Sequence, residues 1–128
     1  MKANELMVGD WVMYENEPIM VWEIDEYYHR INTEPDGYNA ITCVEISEVT
    51  PIPLTPEILE KNGFWCEHNI GYVMEKGEYD IIYDLFDHKL RILKNREQIL
   101  NLECFDDMCV HELQHALKLC GIEKEIEL

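Results

Sequence analysis

Pro51-Ile52-Pro53-Leu54-Thr55-Pro56-Glu57-Ile58-Leu59-Glu60-Lys61-Asn62-Gly63 divides the chain into two halves of different character. Pro51 and Pro53 lack a backbone N–H and hold φ near one value, so neither a sheet interior nor a helix interior runs through them. A short helix follows. Thr55 suits its N-cap, Pro56 its first position, and Glu57 its first turn, where the positive end of the helix dipole favours a carboxylate. Leu54 and Leu59 are spaced as a hydrophobic staple across that cap. Asn62-Gly63 supplies the stop, because glycine takes positive φ without steric cost. The helix is expected over 56–62.

Outward from this segment, residues 1–50 read as β. Val8-Gly9-Asp10-Trp11-Val12 leads into a strand, Glu15-Asn16-Glu17-Pro18 reads as a turn, and 19–24 is a second strand. A loop at 34–37 precedes a third strand at 38–46. Three short aromatic-rich strands imply a curled antiparallel sheet, an SH3-like half-barrel, with Trp11 and Trp22 in its core. On the other side, 72–74, 79–86 and 89–93 form a β-meander, turning at Lys76-Gly77-Glu78 and near Asp87-His88. Residues 98–102 make a fourth strand or the lead-in to a last helix. Asp106 and Asp107 mark that helix's start and Gly121 its end, with Ile122 placed to meet Leu117 in a Schellman cap. The tail 122–128 puts Glu123, Glu125 and Glu127 on one side and Ile122, Ile126 and Leu128 on the other, interrupted only by Lys124, as a short edge strand does. The fold class read here is α+β: one domain over 1–128, with a β-rich lobe at 1–50 and helix, meander and C-terminal helix at 51–128.

Composition bounds the function. The 128 residues carry 10 Lys plus Arg against 27 Asp plus Glu, a formal charge of −17. A field of that sign repels phosphate backbones and anionic membrane surfaces, so neither nucleic acid nor membrane is an expected partner. The nearest basic cluster, Lys89, Arg91, Lys94 and Arg96, is interleaved with strand-like apolar residues. No apolar stretch approaches the ~18 residues of a membrane span, and no apolar segment follows the first residues as a secretion signal requires. A cytoplasmic location is expected. Cys43, Cys66, Cys104, Cys109 and Cys120 are odd in number and form no C-x-x-C pair, so they are expected to be free and mostly buried.

One pentapeptide carries possible chemistry: His111-Glu112-Leu113-Gln114-His115. On a helix the two imidazoles lie one turn apart and can converge on a zinc ion, with Glu112 as general base toward a zinc-bound water. Three considerations oppose this. Five His and nineteen Glu in 128 residues give H-E-x-x-H by chance in about 3% of such chains, and true enzymes of this type are rare enough that the motif alone leaves the odds about even. A catalytic zinc needs a third protein ligand. Lys118 and Gly121 stand where the extended metzincin form has Gly and His, and only thirteen residues follow His115 to supply a downstream Glu. Cys66, His68, His88 or Cys104 would have to supply an upstream ligand. Finally, Phe105, Cys109, Val110, Leu113, Ala116, Leu117 and Cys120 form one apolar arc, which leaves His111 and His115 on the opposite side, facing water. Cys66-Glu67-His68 offers a C-x-H pair of ordinary structural type, and Asp84 with Asp87 reads as a solvated strand end.

Three blocks carry a resemblance: Met1-Lys2-Ala3-Asn4-Glu5-Leu6 with Gly9-Asp10-Trp11-Val12, then Ile52-Pro53-Leu54-Thr55 with Leu59 and Gly63-Phe64, then 110–115. Together they resemble a family of small uncharacterised proteins from anaerobic gut bacteria and their phages and mobile elements. The resemblance implies Gln and Asn at the positions matching Glu112 and His115 in many members, which removes the base and one ligand but keeps the helix. It brings no assigned activity with it. The leading expectation is a non-enzymatic intracellular protein-binding module of phage or mobile-element type, with a protein partner and no cofactor. The alternatives are a zinc-dependent metallopeptidase, with His111 and His115 as ligands and Glu112 as catalytic residue, and a DNA-mimicking counter-defence factor. A homo-oligomer is a further expectation.

Overall fold

The computed structural model describes residues 1–33, 43–104 and 106–128. The loop at 34–37, the first part of the strand expected at 38–46, and Phe105 lie outside the described residues. The chain is α+β, with two antiparallel sheets and two α-helices among the described residues, and it resolves into two compact units. Among the described residues no helix is long and apolar enough to cross a membrane.

The first unit comprises Met1–Ile52 and Cys109–His115. Its sheet runs in chain order through β1 (Trp11–Tyr14), β2 (Glu17–Asp25), β3 (Arg30–Thr33) and β4 (Cys43–Glu45). The β1–β2 turn is tighter than the sequence implies: Glu15 and Asn16 alone form it, both at positive φ (48° and 63°). Such a two-residue turn matches the twist of the flanking strands, so Glu17 and Pro18 join β2. Val12, Val21, Ile31, Val44, Ile46 and Val49 form the core with Leu6.

Trp22 is not part of that core. The β2–β3 register slips between Val21 and Glu23, so Trp22 is the extra residue of a β-bulge and stands 44% exposed. A bulge breaks the alternation of faces that placed this indole inside.

The second unit comprises Pro53–Met108 and Ala116–Leu128. Helix α1 (Pro56–Lys61) forms as its caps dictate: the Ile58 N–H donates to Thr55 Oγ1 at 3.3 Å, and Leu54 and Leu59 are both buried. Gly63, at φ 91°, closes it with a Schellman pair, Gly63 N–H to Glu60 and Phe64 N–H to Leu59. The sheet follows in chain order: β5 (Trp65–Glu67), β6 (Gly71–Lys76), β7 (Tyr79–Asp84), β8 (Lys89–Lys94) and β9 (Glu97–Glu103). Residues 98–102 are therefore strand, entered through a second turn with two positive φ values, Asn95 and Arg96.

Helix α2 (Val110–Leu119) starts later than Asp106 and Asp107 imply. The backbone just before it is held extended: Leu54 N–H donates to Met108 O, Met108 N–H to Tyr83 Oη, and Val110 N–H to Ile52 O. Its end is the expected Schellman cap, with Gly121 N–H on Lys118 and Ile122 N–H on Leu117. The tail forms no strand. Both faces of the Asn62 amide instead hold Glu127, Nδ2 donating to its carbonyl and Oδ1 accepting from its N–H, each at 2.7 Å, and Ile122 and Ile126 are buried.

Candidate functional site

In the first unit, every side chain of 111–115 has a partner or a place inside the fold. Glu112 Oε1 accepts from the Cys109 N–H at 3.0 Å, the return half of a capping box on the first turn of α2. Leu113 is buried. Gln114 grips the backbone ahead of β1 with both ends of its amide: Nε2 donates to Gly9 O at 3.0 Å, and Oε1 accepts from Trp11 N–H at 2.9 Å. His115 Nε2 lies 2.7 Å from Oδ2 of Asp10. Because an ionised carboxylate only accepts, the imidazole is the donor in that bond.

Asp10 is itself fully buried, and its Oδ2 also accepts from Met7 N–H at 2.8 Å. Backbone bonds from Gly9 N–H to Val21 O and from Val21 N–H to Asp10 O fix the segment against β2. His111 is 7% exposed, with its ring edge-on to His115 at 5.5 Å between centroids. Burial pushes the His111 imidazole below the ordinary histidine value. Asp10, Glu112 and Glu5 oppose that shift and His115 adds to it.

The expectation that the two histidines face water is therefore corrected. Hydrophobic periodicity locates only apolar faces. Here a second face of α2 is covered by the polar backbone of residues 7–11, joined through amide and carboxylate bonds that no apolar pattern records. The structure brings His111, His115 and Glu112 onto one helix turn as the motif implies, yet adds Asp10 and Gln114, which the sequence reading did not single out. A zinc ion taken by His115 Nε2 would have to displace Asp10 from that nitrogen. Glu112 is turned toward the helix start.

The other sequence candidates fall in the second unit. Asp84 organises the β7–β8 turn, its Oδ1 accepting from the N–H groups of Phe86 and Asp87. Cys66 and His68 lie on β5 and the turn after it. Among the described residues no three His, Cys, Asp or Glu side chains are grouped as a metal site requires. None of the five cysteines is in a disulfide and none is buried; Cys43 and Cys66 are exposed, which corrects the expectation of mostly buried thiols.

One end of the five-stranded sheet is hollow. The β5–β6 and β7–β8 turns enclose a cavity of about 620 Å³, lined by Cys66, His68, Ile70, Tyr72, Leu85 and Phe86, with Glu67 and Asp84 as its carboxylates. Of the lining residues, Phe86 is 95% exposed and Ile70 45%. Burial, together with Glu60, Cys66 and Glu57, pushes the Tyr72 phenol above its ordinary value. Compared with protein-family models, curated proteins and solved structures, the chain matches none.

Proposed function

We propose that this chain is a non-enzymatic protein-binding module acting inside the cell, of phage or mobile-element type, and that it binds through the groove at the β5–β6 and β7–β8 turns. The observation that carries the reading is Phe86. A phenyl ring 95% exposed on a turn locked by the Asp84 carboxylate is apolar area held in water at a fixed place. Covering such a side chain contributes roughly 1.5–3 kcal/mol, and rigid aromatic anchors of this kind dominate interface energetics. Ile70, which lines the same groove, extends the patch. The exposed thiols of Cys43 and Cys66 accord with a reducing compartment. The curled, SH3-like reading of the first sheet is supported by the bridge between Met13 and Thr50, which returns the chain after β4 to the other edge of β1.

A photo-crosslinking amino acid at position 86, introduced in the source cells, tests the reading. One predominant protein adduct is expected, and that protein, once purified, should bind Phe86→Ala at least about tenfold more weakly than wild type. Equal affinity for the two would contradict the proposal. Competition by duplex DNA for the same partner would shift the reading toward charge mimicry, for which the net charge of −17 is the motive.

A further inference from the structure

We infer that the groove docks an extended cationic segment of the partner, which adds a strand to the free edge of β5 and sets one apolar side chain beside Phe86. The inference rests on the protein-binding reading above and names the chemistry of what binds. β5 is an edge strand: it pairs with β6 and, among the described residues, with no other strand. Trp65, Cys66 and Glu67 are all exposed. Natural edges are blunted by shortness, charge, proline or a bulge. This one is short and carries Glu67, a charge that repels acidic strands and admits basic ones, and it has no lysine, proline or bulge. The opposite edge, β9, does carry a bulge, where its register with β8 slips between Ile92 and Leu93.

A three-residue edge offers only a few ladder bonds, each worth about 1 kcal/mol net, so strand addition alone would hold a partner weakly. The cavity beside it supplies the rest. Cys66 and Glu67 belong to both the edge and the lining, so a strand laid along β5 borders the groove that Phe86 also lines. Charge decides the occupant. Glu67 and Asp84 line the groove, Asp87 is exposed next to Phe86, and no Lys or Arg is among the lining residues. A second copy of this chain would bring its own carboxylates against these. A basic segment is complemented by them, in the manner of edge-strand recognition in which backbone bonds give affinity and side-chain pockets give choice.

The test uses the full chain and short synthetic peptides in which Lys alternates with Val and one central Lys is replaced by Phe. Lys and Phe then share one face of an extended strand. Three control peptides carry Glu for Lys, Ser for Phe, or N-methyl groups on alternate backbone amides. Fluorescence anisotropy and amide chemical shifts are the readouts. The parent peptide should bind, shifting the amides of 65–67 and 85–87. Each control should bind at least about tenfold more weakly, as should the parent peptide to Phe86→Ala or Glu67→Lys, whose folds are checked by circular dichroism. Acidic or N-methylated peptides binding as well as the parent would overturn the inference. So would shifts confined to other residues, or a dimer of the chain alone that closes β5. Failure of every peptide, with a crosslinked partner still dependent on Phe86, would remove strand addition and leave the module reading. Failure of the crosslinking test as well would remove both.

Discussion

Gln114 joins the helix motif to the segment ahead of β1, and its partners, the Gly9 carbonyl and the Trp11 N–H, lie 105 and 103 residues away in sequence. Removing the amide leaves a donor and an acceptor unpaired in a half-buried place, so Gln114→Ala should destabilise the protein by about 2 kcal/mol in urea unfolding. A loss below about 0.5 kcal/mol would mean that the amide holds nothing. Glu112→Gln keeps a side chain able to accept from the Cys109 N–H and should unfold like wild type. The buried His111 makes stability depend on pH. Its imidazole titrates below the ordinary value of 6.5, chiefly through burial. As pH falls through that value, the unfolded chain takes up a proton that the folded chain still refuses, and stability declines. Above it both forms are neutral and the contribution is complete. Wild type should thus lose more stability between pH 7.5 and 5.5 than His111→Gln does, and identical profiles would contradict the burial. None of this was legible beforehand. The sequence reading found the pentapeptide and its helix, but Asp10 and Gln114 acquire their roles from a contact across the whole length of the chain, which local periodicity does not encode.

Helix ends and hairpins obey local chemistry, and that is where the sequence speaks most clearly. Thr55-Pro56-Glu57 and Asn62-Gly63 bound α1, and Gly121-Ile122 closes α2, because caps are settled by neighbours in sequence. The composition of 15–18 suggests a four-residue turn, whereas Glu17 already pairs with Tyr14 and the β1–β2 hairpin is one residue pair tighter. The Asn95-Arg96 turn carries little sequence signal, because arginine is an unusual occupant of a left-handed position, here φ 69°. Arg96→Gly should therefore stabilise the hairpin by up to about 1 kcal/mol by relieving that conformation. Two glycines offer a matched contrast. A Cβ on Gly71, at φ 119°, would lie 2.4 Å from the Tyr83 carbonyl oxygen, whereas one on Gly77, at φ 60°, meets nothing within 4 Å. Gly77→Ala should cost about 1 kcal/mol from backbone conformation alone, and Gly71→Ala several times as much, since backbone must also move. Equal melting temperatures for the two variants would show that β6 and β7 are not packed as described.

For the molecule as a whole, the net charge of −17 is a standing repulsion that salt relieves. Raising ionic strength from about 0.01 M to about 0.1 M shortens the screening length from about 30 Å to about 10 Å, and the melting temperature should rise across that range. A flat response would imply that the acidic side chains are already neutralised by their neighbours. The same charge frames the functional account, in which the pentapeptide is bonded into the first unit and the Phe86 groove of the second is proposed to receive a basic partner. Its central claim is that the histidine pair is part of the fold and not a metal centre. Zinc titration calorimetry on metal-free protein, wild type beside His115→Gln, tests this most directly. Glutamine can still donate to Asp10 but binds zinc poorly. The account predicts the same heats for both proteins, with any signal arising from the exposed thiols. One zinc per wild-type chain, lost in His115→Gln, would contradict it and make the helix a metal site.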